Sequence, residues 1–203
     1  MRYIYSRCKE ILFFFYLRFC KALSLLLFFI NDVKHYKFTA VGLPLLDIHP
    51  HGRFQIGNGF SMVNKAKFAT LGKSNRCKFV VGDGGQLIIG DKVGMSNTTI
   101  VATSSVTIGN NILIGGGCTI VDTDFHSLNP EYWHTKDDLH HMLKKNVVIK
   151  NNVFIGMESV ILKGVVIGNN VIIAAGSVVT KSIPDNEIWG GNPAQFLKKN
   201  IIN

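Results

Sequence analysis

Acidic side chains are scarce in this chain of 203 residues: 13 Asp and Glu stand against 22 Lys and Arg. That balance favours anionic partners such as phosphates, nucleic acid or acidic lipid. Cysteine is also sparse. Cys8, Cys20, Cys77 and Cys118 form no CxxC pair and no metal-ligand spacing, so reduced thiols in a cytosolic compartment are expected. No strand-GxGxxG-helix unit occurs, which removes the usual mark of a dinucleotide-binding domain. No small-residue cleavage site follows the apolar amino end, which argues against a secretory signal. The length suits one domain with a sizeable core.

The apolar amino end comes first. Residues 11–30 read ILFFFYLRFCKALSLLLFFI, with only Arg18 and Lys21 charged. The stretch is long enough to span a bilayer, but each central cation costs about 2.5–3.5 kcal/mol on insertion scales. A helix lying in the interface avoids that cost, because both cations reach towards headgroups. Arg2, Arg7, Lys9, Lys34 and Lys37 flank the stretch, and each favours an anionic leaflet by about 1 kcal/mol. Residues 1–37 are therefore expected to form a membrane-associated helix, peripheral on the cytoplasmic face. Packing of this helix on the protein body or a neighbouring subunit is the alternative, and spanning stays open.

The rest of the chain repeats every six residues. Ile149, Ile155, Ile161, Ile167, Ile173 and Val179 share one position, and Val153, Ser159, Val165, Val171, Ser177 and Ile183 share the position four later. Ile89, Met95 and Val101 keep the beat, then a one-residue slip precedes Ile108, Ile114 and Ile120; fainter units begin at Ile56 and Met62. Neither a helix nor an ordinary strand has this period. It implies short strands separated by turns, with the aliphatic inward: a parallel β-helix. Asn and Gly recur in "IGNN", "IKNN" and "IGNN", as corners of unusual φ require. Three hexapeptides per coil would make Ile149–Pro184 two coils.

One segment interrupts the repeats: IVDTDFHSLNPEYWHTKDDLHHM, residues 120–142, with four histidines. A histidine of ordinary pKa near 6.5 suits proton abstraction at neutral pH. His126 is anchored close to a coil, whereas His134, His140 and His141 lie farther out on a polar excursion. Asp122 or Asp124 is placed to orient the imidazole.

The run from Val147 to Lys199, with its "GNPA" after "KSIP", and the phrase "VDTDFHSL" resemble the hexapeptide-repeat acyltransferases. Within that family the chain is most similar to polysaccharide and lipopolysaccharide O-acetyltransferases and to the galactoside/maltose acetyltransferase group. The resemblance covers roughly residues 56–199. It implies an all-β fold, a left-handed parallel β-helix over residues 38–192 with an excursion loop at 126–148, and a short C-terminal helix over residues 193–203. It implies acetyl-CoA as co-substrate, no metal, a homotrimer, a carbohydrate or lipid-linked sugar acceptor, and no nucleic-acid partner. His126 matches the family's catalytic histidine, and Asn97 and Asp124 match or neighbour acceptor-contacting positions. Phe154, Met157, Ala175, Thr180, Lys181, Asn192 and Pro193 match the cofactor groove, with Lys181 as a phosphate partner. The chain departs from the family at Phe154, where Trp is common, and at Gln195, where a basic residue is common.

The resulting expectation is an O-acetyltransferase acting on a sugar hydroxyl of a cell-surface polysaccharide or glycolipid precursor. Its alternatives are an N-acetyltransferase for an amino-sugar nucleotide and a non-catalytic, membrane-anchored scaffold. A zinc enzyme built on His134, His140 and His141 is disfavoured, because HxxxxxHH is a poor facial ligand set.

Overall fold

The computed structural model describes residues 2–64 and 76–201; the side chains of residues 2–6 and of Cys8, and residues 202–203 of the expected tail, lie outside the description. From residue 38 the chain winds into a three-sided prism of parallel strands. The first face stacks Phe38–Val41, Phe60–Val63, Val93–Ser96, Ile112–Ile114, Phe154–Ile155, Ile172–Ile173 and Glu187–Gly191. The second stacks Leu45–Ile48, Lys78–Val81, Thr99–Ala102, Thr119–Val121, Val160–Ile161 and Val178–Val179. The third stacks Arg53–Ile56, Gln86–Ile89, Ser105–Ile108, Val147–Ile149 and Val166–Ile167.

The six-residue period is the winding of this prism. Ile149 lies opposite Ile167, Ile155 opposite Ile173 and Ile161 opposite Val179, so partners stand eighteen residues, or three hexapeptides, apart. All six of these side chains are fully buried, and burying such a side chain stabilises the fold by about 1.5–3 kcal/mol. The secondary position is inward too. Val153, Val165, Val171 and Ile183 are buried, and so are Ser159 and Ser177. Both hydroxyls are satisfied within their own turn, Ser159 Oγ donating to the Gly156 carbonyl at 2.8 Å and Ser177 Oγ to the Ala174 carbonyl at 2.6 Å. A small hydroxyl is tolerated there because the turn supplies its acceptor.

The asparagines expected at corners form two ladders along the edge between the third and first faces. Asn110, Asn151 and Asn169 each accept, through Oδ1, a backbone N–H from the coil before, at 2.7, 2.8 and 3.1 Å. Beside them Asn111, Asn152, Asn170 and Asn186 hold φ of 57°, 58°, 57° and 60°. Each of the first three donates its amide to the next at 2.8–3.0 Å. Asparagine tolerates the left-handed region and bonds locally there, which explains the repeated "NN".

Three expectations change. The single slip expected after Val101 is two opposite ones: Ile100, not Val101, pairs with Ile120 and points fully inward, five residues after Met95 and eight before Ile108. The corner through Asn97 is one residue shorter than the Gly115–Cys118 corner beneath it, which shifts the register. The excursion occupies residues 122–146, since Val147 is already in strand opposite Val106. The expected C-terminal helix over 193–203 is instead a strand, Ala194–Lys199, antiparallel to Glu187–Gly191. It covers the open edge of the last coil, where unpaired backbone groups would otherwise face solvent. Glu187 holds this hairpin together, accepting from Trp189 Nε1 at 2.8 Å and Lys199 Nζ at 2.7 Å.

The amino-terminal helix α1 spans Arg2–Ile30. Cys20, Ser24 and Phe28, spaced by four, are buried, and Phe28 meets the Phe38 ring at 5.0 Å. The last turns of α1 thus pack on the first strand of the prism. Upstream and outward, Ile11, Leu12, Phe14, Phe15, Phe19, Leu26, Phe29 and Ile30 are exposed.

Candidate active site

The excursion leaves the prism at the edge between the second and third faces. Asp122 pins its root: fully buried, it accepts from Thr103 N and Oγ1 through Oδ1, both at 2.8 Å, and from Ser104 N through Oδ2 at 2.6 Å. An antiparallel bridge between Thr123 and Lys144 closes the base of the loop. Asp124 pairs with Lys163. Neither acid reaches the imidazole, contrary to expectation. Asp122 is committed to the preceding coil and Asp124 to a lysine of the following one.

The orienting group is Asp138, which lies in a single-turn helix, Asp138–His141. Its Oδ2 stands 2.6 Å from His126 Nδ1, and its Oδ1 accepts the Ser127 backbone N–H at 2.7 Å. The hydrogen bond to His126, then that from Ser127, holds the Asp138 carboxyl below the ordinary carboxylate range. An ionised Asp138 can only accept, so the neutral form of His126 carries its proton on Nδ1 and its lone pair on Nε2. The carboxylate is buried while 70% of the imidazole side chain is exposed. This is a base with a fixed tautomer and an open working face. Phe125, just before it, holds a left-handed φ of 65°, a costly conformation for a bulky residue that sets the direction of the next side chain.

Around His126 lies a cleft of about 480 Å³ lined by Trp133, His134, Thr135, Asp138 and Leu139. Trp133 is held by its indole N–H, which donates to the Ser127 carbonyl at 2.7 Å. Ser127 therefore ties the ring to the histidine–aspartate pair. His134 lines the cleft and His141 stacks on Tyr132 at 3.8 Å; both, like His140, are exposed.

The other matched residues divide between two edges. Asn97, buried with φ 49°, sits at the edge between the first and second faces. Met157, Ala175, Asn192 and Pro193 are exposed along that same edge, and Phe154 is exposed on the first face beside it. Thr180 and Lys181 are exposed at the edge that carries His126. The width of the second face, about five residues or roughly 15 Å at strand rise, separates the two sets. One copy of the chain does not bring Asn97 to His126.

Residues 146–181 match the bacterial transferase hexapeptide (six repeats) family. Protein CapG of Staphylococcus aureus is 46% identical over 98 residues, covering 46% of this chain and 52% of that protein; the chain thus spans about half the length of this curated relative. A crystal structure of a hexapeptide-repeat-containing acetyltransferase from Vibrio cholerae is 31% identical, covers 57% of this chain and 64% of its own, and superposes with a TM-score of 0.52. An N-acyltransferase from Bacillus cereus, solved with dTDP-4-amino-4,6-dideoxyglucose and coenzyme A, shares the fold more completely. Its TM-score is 0.65 over 87% of this chain and 88% of its own, at 18% identity. The expected class, a left-handed parallel β-helix of hexapeptide repeats, is the one these structures share with it. In repeat, winding and sequence, this chain is similar to the hexapeptide-repeat acetyltransferases.

Proposed function

We propose that the protein is an O-acetyltransferase that moves an acetyl group from acetyl-CoA to a sugar hydroxyl of a cell-surface polysaccharide or glycolipid precursor. The observation that carries this reading is the His126–Asp138 pair at 2.6 Å at the mouth of the cleft. His126 Nε2 takes the hydroxyl proton as the sugar oxygen attacks the thioester carbonyl. When the C–S bond breaks, the imidazolium returns that proton to the CoA sulfur. No acyl-enzyme is needed. Among the described cysteines Cys20, Cys77 and Cys118 are buried, and burial pushes the Cys77 and Cys118 thiols up to about 11, away from the thiolate a nucleophile requires.

The Bacillus cereus structure supports an amino-sugar acceptor as a second reading. A neutral amine, however, attacks a thioester without prior deprotonation, whereas a hydroxyl needs a base at the moment of attack. An oriented histidine therefore favours the hydroxyl. The division of Asn97 and His126 between two edges supports a homotrimer, in which the edge of one copy completes the cleft of the next. The acceptor screen is direct: radiolabelled acetyl-CoA is offered with short glycans, lipid-linked sugars and amino-sugar nucleotides. Label on a glycan that mild alkali removes is the expected result, since esters are saponified. Alkali-stable label on an amine would overturn the O-transfer reading.

The exposed apolar flank of α1 and its basic neighbours support a peripheral position on the inner face of the membrane. Removing residues 1–17 leaves Cys20, Ser24 and Phe28 packed on the prism. That truncation is expected to abolish co-sedimentation with anionic liposomes while leaving turnover on a soluble acceptor intact. Unchanged co-sedimentation would exclude residues 1–17 as the anchor, since Phe19, Leu26, Phe29 and Ile30 stay exposed on the shortened helix.

A further inference from the structure

Two coils at the amino end of the prism place a histidine pair and an aspartate together. The first coil turns from Leu45–Ile48 to Arg53–Ile56 through His49, Pro50, His51 and Gly52. The coil below turns from Lys78–Val81 to Gln86–Ile89 through Asp83. His49 Nδ1 lies 3.2 Å and His51 Nδ1 3.0 Å from the same Asp83 Oδ1. All three donor atoms fall within 4.8 Å of one another.

We infer that His49, His51 and Asp83 form a binding site for a borderline divalent transition metal of the Zn²⁺ or Co²⁺ kind. The argument begins with the separations. A tetrahedral ion bound at about 2.0–2.1 Å sets its donors roughly 3.3 Å apart, close to the two distances seen. Two imidazole nitrogens and one carboxylate oxygen suit zinc, cobalt or nickel better than magnesium or calcium.

The tautomer of His49 agrees. Its Nδ1 accepts the His51 backbone N–H at 3.3 Å, so in the neutral ring that nitrogen carries the lone pair a metal bond requires. The 3.3 Å contact is long and yields readily to a metal bond.

The turns hold these groups in place. His49 N bonds the Val81 carbonyl at 2.9 Å, Gly52 N the His49 carbonyl at 2.7 Å and Gly85 N the Gly82 carbonyl at 3.0 Å. Pro50 restricts the backbone between the two histidines. Three protein ligands leave at least one coordination position for water or an anionic oxygen. The site lies along the edge that carries His126 but on earlier coils, and transfer by His126 draws nothing from it.

The test is calorimetric titration of Zn²⁺, and of Co²⁺ followed by its visible spectrum, into untagged full-length protein. One equivalent is expected to bind, more weakly as pH falls, because the histidines must be neutral to ligate. His51→Ala and Asp83→Asn are each expected to weaken binding at least about tenfold. Both side chains are exposed, so melting without metal should match the wild type. Absence of wild-type binding, or undiminished binding by both variants, would overturn the site and leave a plain histidine–aspartate ion pair.

Discussion

His126→Ala is expected to lower kcat by about 10²–10⁴-fold, the range ascribed to a positioned general base, with CoA affinity nearly unchanged. The imidazole is mostly exposed and bonds Asp138 in the excursion, outside the prism, so its removal opens no cavity in the prism. The matched cofactor residues Met157, Ala175, Asn192 and Pro193 lie along another edge of the chain, which separates the base from most of the groove assigned to CoA. Calorimetry with CoA and single-turnover transfer, run on the same preparation, divide binding from chemistry. A variant that kept wild-type turnover would remove His126 from the mechanism. One that lost CoA binding in proportion would make it a groove residue.

The stacking of this chain was legible because its inward positions tolerate so few residue types. Branched aliphatics at Ile149, Ile155 and Ile161 recur since each must fill the same triangular layer, and Asn152 and Asn170 recur since each corner demands the same left-handed turn. Where a corner loses a residue, the pattern misleads: Val101 fits the count of six, yet Ile100 holds the register with Ile120. The carboxyl-terminal strand was not legible. "AQFLKK" shows no clean alternation, and the segment is extended because the last coil needs a partner for its edge. In α1 the buried stripe of Cys20, Ser24 and Phe28 is masked in sequence by apolar residues on every side, so the amphipathic signal that reveals a packed helix is diluted.

The base was legible and its partner was not. "DTDFH" puts two acids beside the histidine, and nearness in sequence favoured Asp122 and Asp124. Backbone geometry decided otherwise, giving Asp122 to Thr103 and Ser104 and Asp124 to Lys163. Asp138 stands twelve residues on, in "KDDLHH", and meets His126 only because the bridge from Thr123 to Lys144 folds the loop back on its root. No spacing rule marks such a contact, since it depends on how the loop closes. The one available signal was indirect: a single-turn helix opening on paired acids, Asp137 and Asp138, brings negative charge to a loop rich in histidine.

Asp138→Asn is expected to lower kcat by about 10²–10⁴-fold, approaching the loss seen when a triad aspartate becomes an amide. The Ser127 N–H needs an acceptor, so the carboxamide oxygen turns to it and the NH₂ faces His126 Nδ1. That contact forces the imidazole proton onto Nε2, the atom that must take the proton from the acceptor. The pH profile separates this account from simple damage to the loop. A wrong tautomer is still neutral, so raising the pH does not restore the variant. In the wild type Asp138 titrates below its ordinary value of 3.8. Its stabilising contribution is therefore full above that ordinary value and is lost as pH falls through the lower, folded-state value. The variant lacks this acid-side loss, and its melting temperature should vary less with pH over that range. Recovery of turnover at high pH, or an unchanged acid limb of stability, would show that Asp138 does not set the proton on His126.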